Sequence, residues 1–190
     1  MTAIGGSLLP GAAGLVEEVR GAVGAGPAGG PPALGGLVAQ LAAVNARQWD
    51  LEDTTRDLHA PDSAIAAAKR AIDRLNLDRH QLVREIDGAV SALLDPSPGA
   101  VLATESPGMV IDRLSVLVIR RVRTAELSAQ DSSYAARLPA LDAQLAALVT
   151  ALDTYLDELR AGARRFASHD PLKLYVPPAG RTRGAGSRPD

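Results

Sequence analysis

The chain has 190 residues, of which 46% are hydrophobic and only 3% aromatic, with a formal net charge of −2 and no cysteine. It can bury one sizeable core built from Ala, Leu, Val and Ile, while disulfides and thiolate zinc sites are excluded. The slight negative charge gives no general attraction to nucleic acid or to an acidic membrane, and aromatic platforms for stacking single strands are missing.

Residues 1–33 are rich in Gly, Ala and Pro and end in Gly29-Gly30-Pro31-Pro32. Gly and Pro weaken a helix by about 1 and 3 kcal/mol each, so this stretch is expected to be a flexible arm, with spacing that allows a short helix through Leu15–Val23. It shows no basic start, apolar run and small-residue cleavage site of a secretory signal. The first long helix is expected from about Ala33 to Asp57. Leu34, Leu37, Leu41 and Val44 recur three or four residues apart and so share one face. His59-Ala60-Pro61 ends it, because the residue before a proline is pushed out of helical geometry.

Asp62 or Ser63 then caps a second helix reaching about Leu94, and Asp95-Pro96-Ser97-Pro98-Gly99 breaks it. A third helix opens at Ser106-Pro107, with serine as N-cap and proline at the first helical position, and runs to about Ala129. The fourth is expected over Pro139–Phe166, where Leu141, Leu145, Leu148, Leu152, Tyr155 and Leu159 step by four and three alternately. No segment alternates like a strand, and no fixed-period repeat is present. No stretch approaches the roughly 20 uninterrupted apolar residues that span a bilayer. The expectation is an all-α, cytoplasmic protein: an antiparallel four-helix bundle over residues 34–175, with flexible N- and C-terminal arms, the latter a disordered basic tail at 176–190.

The apolar stripes carry unexpected polar residues. Asn45, Gln48, Glu52 and Arg56 continue the face begun by Leu34 and Leu37; Arg79 falls among Ile72, Leu75, Leu82 and Ile86; Asp112 and Ser115 stand beside Ile111, Val118 and Ile119. Polar groups aimed into a core cost several kcal/mol unless something pairs with them. The inward or boundary set is Asn45, Trp49, Glu52, Asp53 and Arg56 on the first long helix, Lys69, Asp73, Asn76 and Arg79 on the second, and Asp112, Arg113 and Ser115 on the third. Interleaved Arg and Asp can neutralise each other through bidentate pairs. The pairs expected are Arg79 with Asp112, and Glu52 or Asp53 with an arginine of a neighbouring helix.

Two readings of this cluster stand side by side. One is a satisfied network that fixes register. The other is a pocket in which Arg56, Lys69, Arg79 and Arg113 hold phosphate or carboxylate, Asn45, Asn76 and Ser115 hold hydroxyls, and Trp49 forms a flat wall. None of His59, His80 and His169 has a glutamate three residues before it, as a di-iron bundle requires. No metal or cofactor is assigned, and no phosphate-binding loop, dinucleotide fingerprint or nucleophile elbow is present.

Three blocks carry a resemblance: Asn45-x-x-x-Trp49-x-x-Glu52-Asp53-x-x-Arg56, Lys69-Arg70-x-Ile72-Asp73-x-x-Asn76-x-x-Arg79, and Glu105-Ser106-Pro107-Gly108-Met109-Val110-Ile111-Asp112-Arg113-Leu114-Ser115. Together they resemble the bacterial family called domain of unknown function 4254. Lys173-x-Tyr175 is similar to that family's closing motif, although the residues after Tyr175 depart from the usual Asn-Asp continuation. The resemblance implies an all-helical protein associated with genes for lipopolysaccharide or surface-glycan assembly. The function expected is an accessory protein that binds a glycan-assembly partner or a sugar-phosphate ligand. The alternatives are an enzyme acting on a sugar or phosphorylated sugar, with Glu52, Asp53 or Asp112 as acid–base, and a homodimeric scaffold.

Overall fold

A computed structural model describes residues 10–25 and 34–168. Among these residues the chain is all-helical. α1 spans Ala12–Ala25, α2 Leu34–Arg56, α3 Asp62–Ser91, α4 Pro107–Gln130 and α5 Leu138–Arg160, with a 3-10 segment at Ser132–Arg137. Two residue pairs form a parallel ladder, β1 at Val101–Leu102 and β2 at Arg164–Arg165. The expected basic tail, with Lys173 and Tyr175, lies outside the described residues.

α1 corrects part of the expectation of a flexible arm. Its Ala12, Leu15, Val16, Val19 and Ala22 are buried. They recur at helical spacing, and this continuous apolar face outweighs the weak helix propensity of the glycines between them. The Asp153 carboxylate of α5 accepts the Ala12 N–H at 2.7 Å, satisfying one of the donors that a helix start leaves open. The rest of the expected arm, residues 1–9 and 26–33, lies outside the described residues.

Helix ends follow local chemistry with two further corrections. α3 has Pro61 at its N-cap and no side-chain cap; Asp62 sits inside the first turn, where its charge complements the helix dipole instead. α5 stops at Arg160 rather than Phe166. Gly162 adopts φ +68°, and a Cβ there would lie 3.1 Å from both the Asp95 carbonyl and Ser97 Oγ. Only glycine meets both demands, so the helix ends there. The chain then turns along β1, with Val101 N–H donated to Ala163 O and Ala103 N–H to Arg165 O. A two-residue ladder carries no alternation to detect.

The core is aliphatic. Leu15 and Val19 of α1, Val38 and Leu41 of α2, Ile86 and Val90 of α3, Ile111 and Leu114 of α4, and Leu152, Leu156 and Leu159 of α5 are fully buried. Each contributes about 1.5–3 kcal/mol through burial. α2 packs on α1, α3 and α4, while α5 packs on α4 and α1. By length and hydropathy the helical stretch Ser132–Arg160 also meets the requirement for a membrane span. Charges such as Asp142 and Asp153 interrupt it, so it is not the uninterrupted apolar run sought in the sequence.

Candidate functional site

Four of the expected residues meet where α2, α3 and α4 come together. Asp112 accepts two hydrogen bonds from Arg79, one of them from Nε at 2.8 Å to Oδ1 and the other from Nη2 to Oδ2. Asn45 Nδ2 donates to the same Oδ1 at 2.9 Å and also to Ser115 Oγ. The Ser115 hydroxyl in turn donates to the Asp112 carbonyl at 3.0 Å. Asn45 and Ser115 are buried, and the Arg79 and Asp112 side chains keep 30% and 14% of their exposure. One turn on in α2 and one turn back in α3, Gln48 Nε2 donates to Asn76 Oδ1 at 2.9 Å, a second polar rung between the same helices. Asn45 Oδ1 is buried and accepts nothing from the described residues.

A second junction explains the Ser106-Pro107-Gly108 start of α4. Ser106 Oγ accepts from the Met109 N–H at 3.4 Å, and the Ser106 carbonyl accepts from Val110 N–H at 3.2 Å. Pro107 has no N–H to satisfy. The Gly108 N–H is donated to Asp87 Oδ1 of α3 at 2.7 Å, so one helix caps another. Asp87 is fully buried, and a Cβ on Gly108 would collide with the Val83 carbonyl and stand 2.8 Å from Asp87 Oδ1. Sequence reasoning missed Asp87. Its position among Val83, Ile86 and Val90 was the available signal.

The other expected residues stand apart from this cluster. Glu52 and Asp53 lie 3.5 and 3.6 Å from Arg56 of their own helix, which corrects the expected pairing with an arginine from a neighbouring helix. The last turn of α2 has left the core, and Asp53 and Arg56 are exposed. Lys69 and Asp73 pair at 2.8 Å on the exposed face of α3. Arg113 pairs with Glu105 at 3.2 Å, also outside the network.

Trp49 lines an open groove of about 560 Å³, together with Arg120, Arg123 and Leu127 of α4, Tyr134 and Arg137 of the 3-10 segment, and Leu141 of α5. Arg123 binds Asp50 at 2.7 Å and Glu126 at 3.0 Å. Its hydrogen bond to Glu126 holds the guanidinium above its usual value, burial opposes this, and the Asp50 charge adds to the rise. The Arg137 guanidinium lies 5.1 Å from the Tyr134 ring centroid, within cation–π range. Of these groove residues the sequence placed only Trp49 in the polar cluster and Leu141 on the apolar seam, because the groove is assembled from several separate elements.

A smaller cleft of about 390 Å³ opens between the start of α4 and α5, lined by Glu105, Arg113, Tyr155, Glu158 and Arg164 among others. The Tyr155 hydroxyl donates to the Glu105 carbonyl at 2.9 Å. Burial pushes its pKa up to about 12, with the Asp87 and Glu105 charges adding and Arg164 opposing. Glu158 binds Arg164 across the same cleft. Opposite charges are thus already matched at its walls.

Residues 36–168 match the family described as Protein of unknown function (DUF4254). No curated protein and no solved structure matches the chain.

Proposed function

The chain belongs to the DUF4254 family, and on that footing we propose that it is a helical accessory protein that acts by binding a partner or small ligand in the assembly of bacterial cell-envelope glycans. The observation that carries the binding reading is the mutual engagement of Asn45, Arg79, Asp112 and Ser115. The groups best suited to acid–base work or anion capture direct their hydrogen bonds at one another. Such a network specifies how three helices seat while adding little net stability, so the surface grooves are where contact is made. The glycan context rests on what the resemblance of the three motif blocks implies, and the same reading puts the protein in the cytoplasm.

We read α2 to α5 as an antiparallel bundle with α1 laid against it. In support, Arg79 meets Asp112 while Asp87 meets Gly108, an order that reverses between α3 and α4. Likewise Arg121 meets Asp142 while Glu105 meets Tyr155, which reverses between α4 and α5.

Asp112→Asn tests the reading. It leaves the Arg79 charge with a neutral neighbour and is expected to destabilise the protein by about 1–3 kcal/mol, with any partner binding falling in step. A nucleotide sugar incubated with the purified protein is expected to stay unconverted. Conversion that falls about a hundredfold in Asp112→Asn at unchanged melting temperature would make Asp112 a reacting group and overturn the proposal.

A further inference from the structure

The groove beside Trp49 combines three features that the closed network lacks. Its volume, about 560 Å³, lies within the range of small-molecule sites. Its walls are largely apolar, with the indole of Trp49 and the partly exposed Leu127 forming part of them. Its rim holds cations of two kinds. Arg123 is already committed to Asp50 and Glu126. Arg120 and Arg137 have no carboxylate within ion-pair distance among the described residues, and Arg137 instead faces the Tyr134 ring.

We propose that this groove is a binding site for a nucleoside diphosphate. A flat base fits the apolar wall beside Trp49, where stacking on an aromatic face is favourable whatever the base. The diphosphate would be held by Arg120 and Arg137, whose planar guanidinium groups match phosphate oxygens two at a time. Arg123, neutralised from both sides, ties α2 to α4 and shapes the groove. The inference rests on the binding reading above, and names the ligand class that the binding would serve.

Trp49 is the only tryptophan in the chain, so its fluorescence reports on this groove alone. The full chain is titrated with UDP and ADP, and separately with uridine, with inorganic phosphate and with anionic phosphatidylglycerol vesicles. Both diphosphates are expected to give a saturable change, with uridine and phosphate each weaker by about tenfold or more. The double variant Arg120→Met/Arg137→Met is expected to weaken UDP by about tenfold or more at an unchanged melting temperature, because both side chains are exposed. Calorimetry on Trp49→Phe is expected to show weakened UDP binding as well. The proposal is overturned by the absence of a saturable response to the diphosphates, by equal affinity in the arginine double variant, by phosphate binding as tightly as UDP, or by a response to vesicles alone. Any of these leaves the Asp112→Asn outcome, and the reading it tests, untouched.

Discussion

Gly108 occupies the second position of α4, at the point where that helix touches the backbone of α3. Adding a Cβ there has three consequences. In a helix, alanine is better than glycine by about 1 kcal/mol. Against this, the new atom meets the Val83 carbonyl, part of a helix backbone that cannot rotate away; overpacking of this kind costs about 1–3 kcal/mol. Moving α4 outward to relieve it stretches the bond from the Gly108 N–H to the buried Asp87 carboxylate, and a hydrogen bond to a charged group is worth about 1.5–3 kcal/mol. The balance for Gly108→Ala is a loss of about 2–5 kcal/mol, or a fall in melting temperature of roughly 4–20 °C for a chain of this length. Gly88, one residue after Asp87 on the exposed side of α3, has nothing within 4 Å of an added Cβ. The same substitution there is expected to gain about 0.5–1 kcal/mol. Urea unfolding followed by far-ultraviolet circular dichroism measures both. If Gly108→Ala proved as stable as the parent, or if both variants moved in the same direction, the account of how α4 seats on α3 would be wrong.

The polar groups give two further outcomes. Asn45→Asp sets a second carboxylate at hydrogen-bond distance from Asp112 and is expected to cost about 3–5 kcal/mol at neutral pH. This exceeds the loss in Asn45→Ala, and the variant should regain stability as acid protonates one of the two carboxyls; chemical denaturation across the carboxylate range would reveal whether it does. Tyr155 keeps its proton in the native state up to about 12, whereas an unperturbed phenol loses it near 10. Its contribution is therefore intact below pH 10 and lost between pH 10 and 12, as ionisation favours the unfolded chain. Tyr155→Phe should remove that part of the alkaline decline in melting temperature, and a difference between the native ultraviolet titrations of parent and variant that placed the missing phenol near 10 would contradict it.

The long helices were readable because proline and serine mark their ends while leucine and isoleucine mark their faces. Ser106-Pro107 begins α4 as expected, since the serine hydroxyl oxygen and the proline ring both act within the first turn of the same helix. α1 was underestimated because propensity weighs Gly14 and Gly21 heavily and is blind to the helices that cover Leu15 and Val19. The inward placement of Arg79 and Asp112 was legible from their phase within apolar stripes. The same phase misled at Glu52 and Arg56, because periodicity does not say where a helix runs out of neighbours. Asp87 could have been noticed from its apolar neighbours Val83, Ile86 and Val90, but its role depends on the Gly108 N–H that α4 brings to it. Arg120 is placed beside Trp49 only by the packing of α4 on α2.

α1 lies entirely before the stretch that matches the family, which starts at residue 36. Likeness of sequence therefore draws its border inside the hydrophobic seal, between the staves of the barrel and one of its hoops. A chain begun at Gly36 would keep every motif residue yet bare a greasy flank formed by α2, α4 and α5. It would seek a second copy, or the lost helix of a neighbour, to close the wound.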